Sequence, residues 1–111
     1  MVFIRDFYGR ALYTVRDDCI CTFEGKILYK LNGNRLSEFA GQCLYVIEPD
    51  AIKDFYGKIL YQVDGSNIRE FAGHTIYRIE GNLIKKFTGE TLYKIDGVIS
   101  RTMLLAVIAI L

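Results

Sequence analysis

Apolar and polar residues alternate along this chain in bursts of about six residues, and nearly every burst is closed by a turn-forming pair. Tyr8-Gly9, Glu24-Gly25, Asn32-Gly33, Asp64-Gly65, Glu80-Gly81 and Asp96-Gly97 are such pairs, and turn signals recur about every eight residues. Glycine at these places supplies the positive φ that a tight hairpin demands. The segments between them are rich in Ile, Val, Leu, Tyr and Phe, too short for helices and of the length expected for strands. The pattern predicts a β-meander.

The meander is a tandem repeat. Phenylalanine stands at Phe7, Phe23, Phe39, Phe55, Phe71 and Phe87, a constant interval of sixteen, and tyrosine keeps the same register at Tyr13, Tyr29, Tyr45, Tyr61, Tyr77 and Tyr93. A glycine follows each of those phenylalanines by two, and the second glycine register holds Gly33, Gly65, Gly81 and Gly97, with Asp17 and Pro49 as its two replacements. Aspartate tolerates left-handed backbone geometry, and Glu48-Pro49-Asp50 suits a type I turn. The chain thus divides into six sixteen-residue hairpin units over 4–99 and a closing segment at 100–111, all in one domain spanning 1–111.

Six units of two strands give twelve short antiparallel strands, an all-β fold. A meander joins only sequence neighbours, so its outermost strands stay unpaired unless the sheet closes. A closed barrel satisfies this, and a radial array of hairpins is the alternative. With two-residue loops at both turns, alternation places Ile68, Glu70, Thr75, Tyr77 and Ile79 on one face and Arg69, Phe71, His74, Ile76 and Arg78 on the other. The first face is the more apolar in every unit and is expected inside. A bulge at either turn would shift this parity by one.

The closing segment breaks the repeat, because Met103 stands where phenylalanine would fall and Leu105 where glycine would. From Met103 to Leu111 it is apolar on every side, and a helix hydrophobic all round must be buried. A twelve-stranded barrel is wider than side chains alone can fill. The tail is therefore expected as a helix threaded through the barrel, with Met103, Leu104, Leu105, Val107, Ile108, Ile110 and Leu111 against its inner wall.

Charge changes the picture only locally. Fourteen basic and thirteen acidic residues leave a net charge of +1, which gives no bulk reason to expect nucleic acid as a partner. Ten of the basic residues fall on the outward face: Arg5, Arg10, Lys26, Lys30, Lys53, Lys58, Arg69, Arg78, Lys85 and Lys94. Many acids sit in turns instead. Three cysteines at unrelated repeat positions read as small apolar filler, and a cytoplasmic location is the expectation. The apolar tail is about half the roughly 20 residues that span a bilayer, so the chain is not expected to be transmembrane.

Catalytic chemistry finds little footing. His74 is the single histidine and occupies a slot held elsewhere by Arg10, Lys26, Gln42, Lys58 and Glu90, a solvated strand end, so no triad can be assembled. Asp6, Glu38, Asp54 and Glu70 share one repeat position and could gather at a barrel mouth, but Thr22 and Lys86 interrupt that ring, and a solvated rim is the simpler account than a cation site. The expectation is no enzyme and no cofactor.

Twelve antiparallel strands around an apolar C-terminal helix is a layout that resembles the tubby C-terminal-like superfamily, including LURP-one-related proteins and phospholipid scramblases. Met103-Leu104-Leu105-Ala106-Val107-Ile108-Ala109-Ile110 looks like the terminal helix of LURP-one-related proteins. Separately, Ile20-Cys21-Thr22-Phe23-Glu24-Gly25-Lys26-Ile27-Leu28-Tyr29-Lys30-Leu31-Asn32-Gly33 is similar to units of bacterial four-fold beta-flower proteins, which have about four copies rather than six. Neither resemblance implies a catalytic residue. Tubby domains bind phosphoinositides, so the resemblance together with the basic outward face leads to a noncatalytic binding or structural module contacting anionic phospholipid headgroups, through Lys53, Lys58, Arg69, Arg78, Lys85 and Lys94. The alternative is a self-associating structural protein in which outward Phe and Leu pair between chains.

Overall fold

The structure is a computed structural model and describes residues 1–71 and 73–111. Among the described residues are twelve strands and one helix: β1 Val2–Asp6, β2 Ala11–Arg16, β3 Cys19–Thr22, β4 Ile27–Asn32, β5 Arg35–Glu38, β6 Cys43–Glu48, β7 Ala51–Asp54, β8 Ile59–Asp64, β9 Asn67–Glu70, β10 Thr75–Glu80, β11 Leu83–Lys86, β12 Thr91–Asp96 and α1 Arg101–Ile110. The strands form one closed barrel in which each pairs antiparallel with its sequence neighbours and β1 pairs with β12. This settles the choice between barrel and radial array. At the seam Asp6 lies opposite Tyr93, the pairing that Thr22 makes with Tyr13 and Lys86 with Tyr77 across covalent hairpins. Closure therefore repeats the hairpin register without a turn.

The two kinds of turn differ, and this corrects the expectation of two-residue loops throughout. At one mouth the loops are two residues long, as Gly65-Ser66 between Asp64 and Asn67, and positive φ at Gly65 (62°) and at its counterpart Asp17 (53°) makes the reversal. At the other mouth a four-residue loop such as Phe7-Tyr8-Gly9-Arg10 closes with Gly9 N–H donating to Asp6 C=O (3.0 Å) and Asp6 N–H to Arg10 C=O (2.9 Å). Gly9 takes φ 89° here. One residue further on the register slips in every unit, leaving Leu12, Leu28, Leu44, Leu60, Ile76 and Leu92 as bulged residues. Parity therefore flips beyond the bulge. Thr75, expected inside, pairs with Arg69 on the outer wall, and Glu70, although in the inward register opposite Tyr61, stands exposed at the mouth.

Inside, each unit contributes the same residues. Ile4, Ile20, Leu36, Ile52, Ile68 and Ile84 are fully buried, and Val15, Leu31, Ile47, Val63, Ile79 and Ile95 form a second buried layer. Nearer the four-residue turns, the six repeat tyrosines are half-buried and pack against this core. The helix fills the middle. Ser100 caps it, its hydroxyl accepting from Met103 N–H (3.1 Å), as N-terminal serines do to satisfy an otherwise unpaired donor. Met103 to Ile108 are buried, and Ile110 and Leu111 are half-buried among the partly covered residues at the far end. Ten helical residues span about 15 Å, a close match to the 17 Å thickness of a molecule that is 35 Å across. Arg101 fixes the entry point by donating to the Gly65 carbonyl at the two-residue-turn mouth. The helix thus enters there and ends at the four-residue-turn mouth.

Candidate functional site

The outer wall is layered along the barrel axis. All thirteen acidic residues occupy strand ends or turns, whereas mid-strand positions on the outer wall hold Arg5, Lys30, Lys53, Arg69, Arg78, Lys85 and Lys94 and no acid. Six of these seven sit on the run of neighbouring strands β7 to β12 and β1, interrupted by Gln62 on β8. Acids such as Glu48, Asp64, Glu80 and Asp96 edge this belt at the two-residue-turn mouth. On its other side come Ile59, Thr75 and Thr91, and then the aromatic turns.

The belt is partly neutralised from within. Lys53 pairs with Glu48 (2.6 Å), Lys85 with Glu80 (2.5 Å), Arg78 with Glu80 (3.7 Å) and Arg5 with Asp96 (3.4 Å). The hydrogen bond and charge of Lys85 hold the Glu80 carboxyl below its ordinary pKa. Of the six basic residues singled out from the sequence, the belt gathers Lys53, Arg69, Arg78, Lys85 and Lys94, whereas Lys58 stands apart in a four-residue turn. Among the described residues Lys58, Arg69 and Lys94 have no carboxylate partner, and the Arg69 Nε is buried without an acceptor.

The four-residue-turn mouth is ringed by aromatic side chains. Phe7, Phe23, Phe39, Phe55, Phe71 and Phe87 are 56–65% exposed, and Tyr8 and Tyr56 are 90% exposed. One ring leans toward the outer wall: Phe23 lies 6.5 Å from Phe3, itself stacked under the Arg5 guanidinium at 5.2 Å. Between adjacent units the collar opens into clefts. Phe55 closes one against Cys43 and Leu44 (about 450 Å³), Phe71 the next against Ile59 and Leu60 (about 400 Å³), and Phe87 the third against Thr75 and Ile76 (about 440 Å³). These clefts are the feature that sequence reasoning missed. The bulge that turns Leu44, Leu60 and Ile76 aside creates one wall of each, and its position is not written in the alternation of apolar and polar residues.

Two of the carboxylates at this mouth, Asp6 and Asp54, brace their turns. Asp6 Oδ1 accepts from Tyr8 and Arg10 N–H (both 2.9 Å), and Asp54 Oδ1 accepts from Tyr56 and Lys58 N–H (both 2.9 Å). In the same slot Thr22 accepts from Lys26 N–H (3.0 Å). The backbone hydrogen bond from Arg10 leads the causes that lower the Asp6 pKa. Among the described residues no group of His, Cys, Asp and Glu is gathered as a metal site would require, and His74 stands exposed in a turn. No helix among them is long and apolar enough to cross a membrane. Comparison with known proteins finds no family model, curated protein or solved structure that matches the chain.

Proposed function

We propose that the chain is a noncatalytic binding module whose working surface is the aromatic four-residue-turn mouth. One observation carries this: every unit places a phenylalanine in water at the same mouth. With about 200 Å² per phenylalanine, exposures of 56–65% leave about 700 Å² of ring surface uncovered. Eight of the ten exposed large hydrophobic side chains found among the described residues lie at this mouth, and apolar surface concentrated at one end marks a place where something docks. The test compares the wild type with a Phe55→Ser/Phe71→Ser/Phe87→Ser variant of unchanged melting temperature, in vesicle flotation and in sedimentation. An association shown by the wild type and lost by the variant supports the module; a wild type that binds neither vesicles nor itself overturns it.

A second observation favours contact with anionic phospholipid. Away from the collar, the outer wall runs from apolar to basic to acidic, the order in which an interfacial protein places aromatic rings, headgroup-level cations and solvated acids. Lys58, Arg69 and Lys94, three cations without a carboxylate partner among the described residues, would meet the phosphates. The tubby-like layout points the same way, by analogy of fold. Flotation with anionic but not neutral vesicles at low salt is the expected result, and equal recovery with both removes this contact.

A further inference from the structure

Resting on the mouth as docking surface, we propose that a second copy of this chain occupies the collar sector built by the turns of units four to six, in a two-fold contact. Three features of the sector select this occupant. The first is fit. The inter-unit clefts are open apolar grooves of about 400–450 Å³ walled by Leu44, Leu60 and Ile76, so a partner's phenylalanine can lie in one while the flanking phenylalanine is offered in return. Knob and hole on one surface is what an isologous contact requires.

The second is area. Phe55, Phe71 and Phe87 at 56–64% exposure and Tyr56 at 90% present about 500 Å², taking about 200 Å² for a whole aromatic side chain. That is more than half of the roughly 800 Å² per partner of a standard specific interface.

The third is charge. Around the mouth the sector reads Asp54, Lys58, Glu70, His74, Lys86, Glu90. A two-fold axis through His74 reverses this order, setting Lys58 against the partner's Glu90 and Glu70 against the partner's Lys86. A single-sign partner gains nothing from such alternation. The whole mouth carries six carboxylates and four basic side chains, so a copy presenting the same mixed rim can set unlike charges opposite one another.

Sedimentation velocity over a concentration series, with vesicle flotation on the same samples, tests the proposal. The wild type is expected to pass from monomer to dimer. Phe71→Ser/Phe87→Ser, with an unchanged melt, should remain monomeric throughout. Lys58→Glu should weaken the dimer at least about tenfold, and Lys58→Glu/Glu90→Lys should restore it, since the two-fold pairs these positions with each other. A wild type that stays monomeric to about 1 mM, the weak end of specific binding, overturns the second copy, as does a dimer that survives the phenylalanine substitutions. A monomeric wild type that nonetheless floats with vesicles through the same phenylalanines would sink the dimer while leaving the mouth as the docking surface.

Discussion

Removing Met103 to Leu111 should abolish cooperative folding, because the helix is the middle of the core. Five large apolar side chains of that segment, Met103, Leu104, Leu105, Val107 and Ile108, are buried to at least nine-tenths. At about 1.5–3 kcal/mol each, their loss removes roughly 8–15 kcal/mol, as much as the whole stability of a typical domain at about 5–15 kcal/mol. The deletion also uncovers Ile4, Ile20, Leu36, Ile52, Ile68 and Ile84, so the true cost is larger. A single truncation grades the effect. Leu105 is 1% exposed, and Leu105→Ala should cost about 2–5 kcal/mol. In a domain of this size that lowers Tm by roughly 10–25 °C. Leu111→Ala, at the half-covered end, should cost clearly less. Far-UV circular dichroism and calorimetry of the three variants provide the measurement. A deletion variant that still melts cooperatively within a few degrees of the full chain would show the barrel to be self-sufficient and the helix an appendage.

Two further outcomes follow from local geometry. Ser100→Ala removes the acceptor for Met103 N–H and should cost about 1 kcal/mol, whereas Ser100→Asp should retain most of the stability; equal melting of Ser100→Ala and wild type would count against the cap. Burial, reinforced by neighbouring ring phenols, raises the pKa of Tyr29 and Tyr77 above 10.0. The folded state then holds these protons where the unfolded chain releases them, so their effect on stability is nil below pH 10.0 and turns increasingly unfavourable as pH rises from there through the folded pKa. Alkaline titration of tyrosinate absorbance should show part of the tyrosine ionising late and together with unfolding; a single unperturbed titration of all tyrosines in the folded protein would contradict this.

The repeat made most of the architecture legible before any coordinates. A phenylalanine, a tyrosine and a glycine at constant sixteen-residue intervals identify the unit, and a segment apolar on every side has to be buried. Those signals are local or one-dimensional, and the strands, the short turns at Asp17 and Gly65, the inward Ile68, Tyr77 and Ile79, and the central helix all followed from them. The repeat phenylalanines are exposed as expected, but because they stand in the four-residue turns rather than on an outward strand face.

What the tertiary structure decided depends on closure and on backbone geometry that alternation does not encode. Whether β1 meets β12 is a question of how twist and strand number sum around a ring, and only the completed sheet answers it. The slip that sends Thr75 to the outer wall is a bulge beyond a four-residue turn, and an inserted residue leaves the apolar–polar rhythm of the flanking strands intact while reversing its sense. Six basic side chains scattered through the sequence became one belt, and acids as remote as Asp96 from Arg5 became partners of four of them, because neighbouring strands bring remote positions side by side. The clefts beneath Phe55, Phe71 and Phe87 belong to two units at once, so no single repeat contains them; they exist because bulged residues of one hairpin face the aromatic turn of the next.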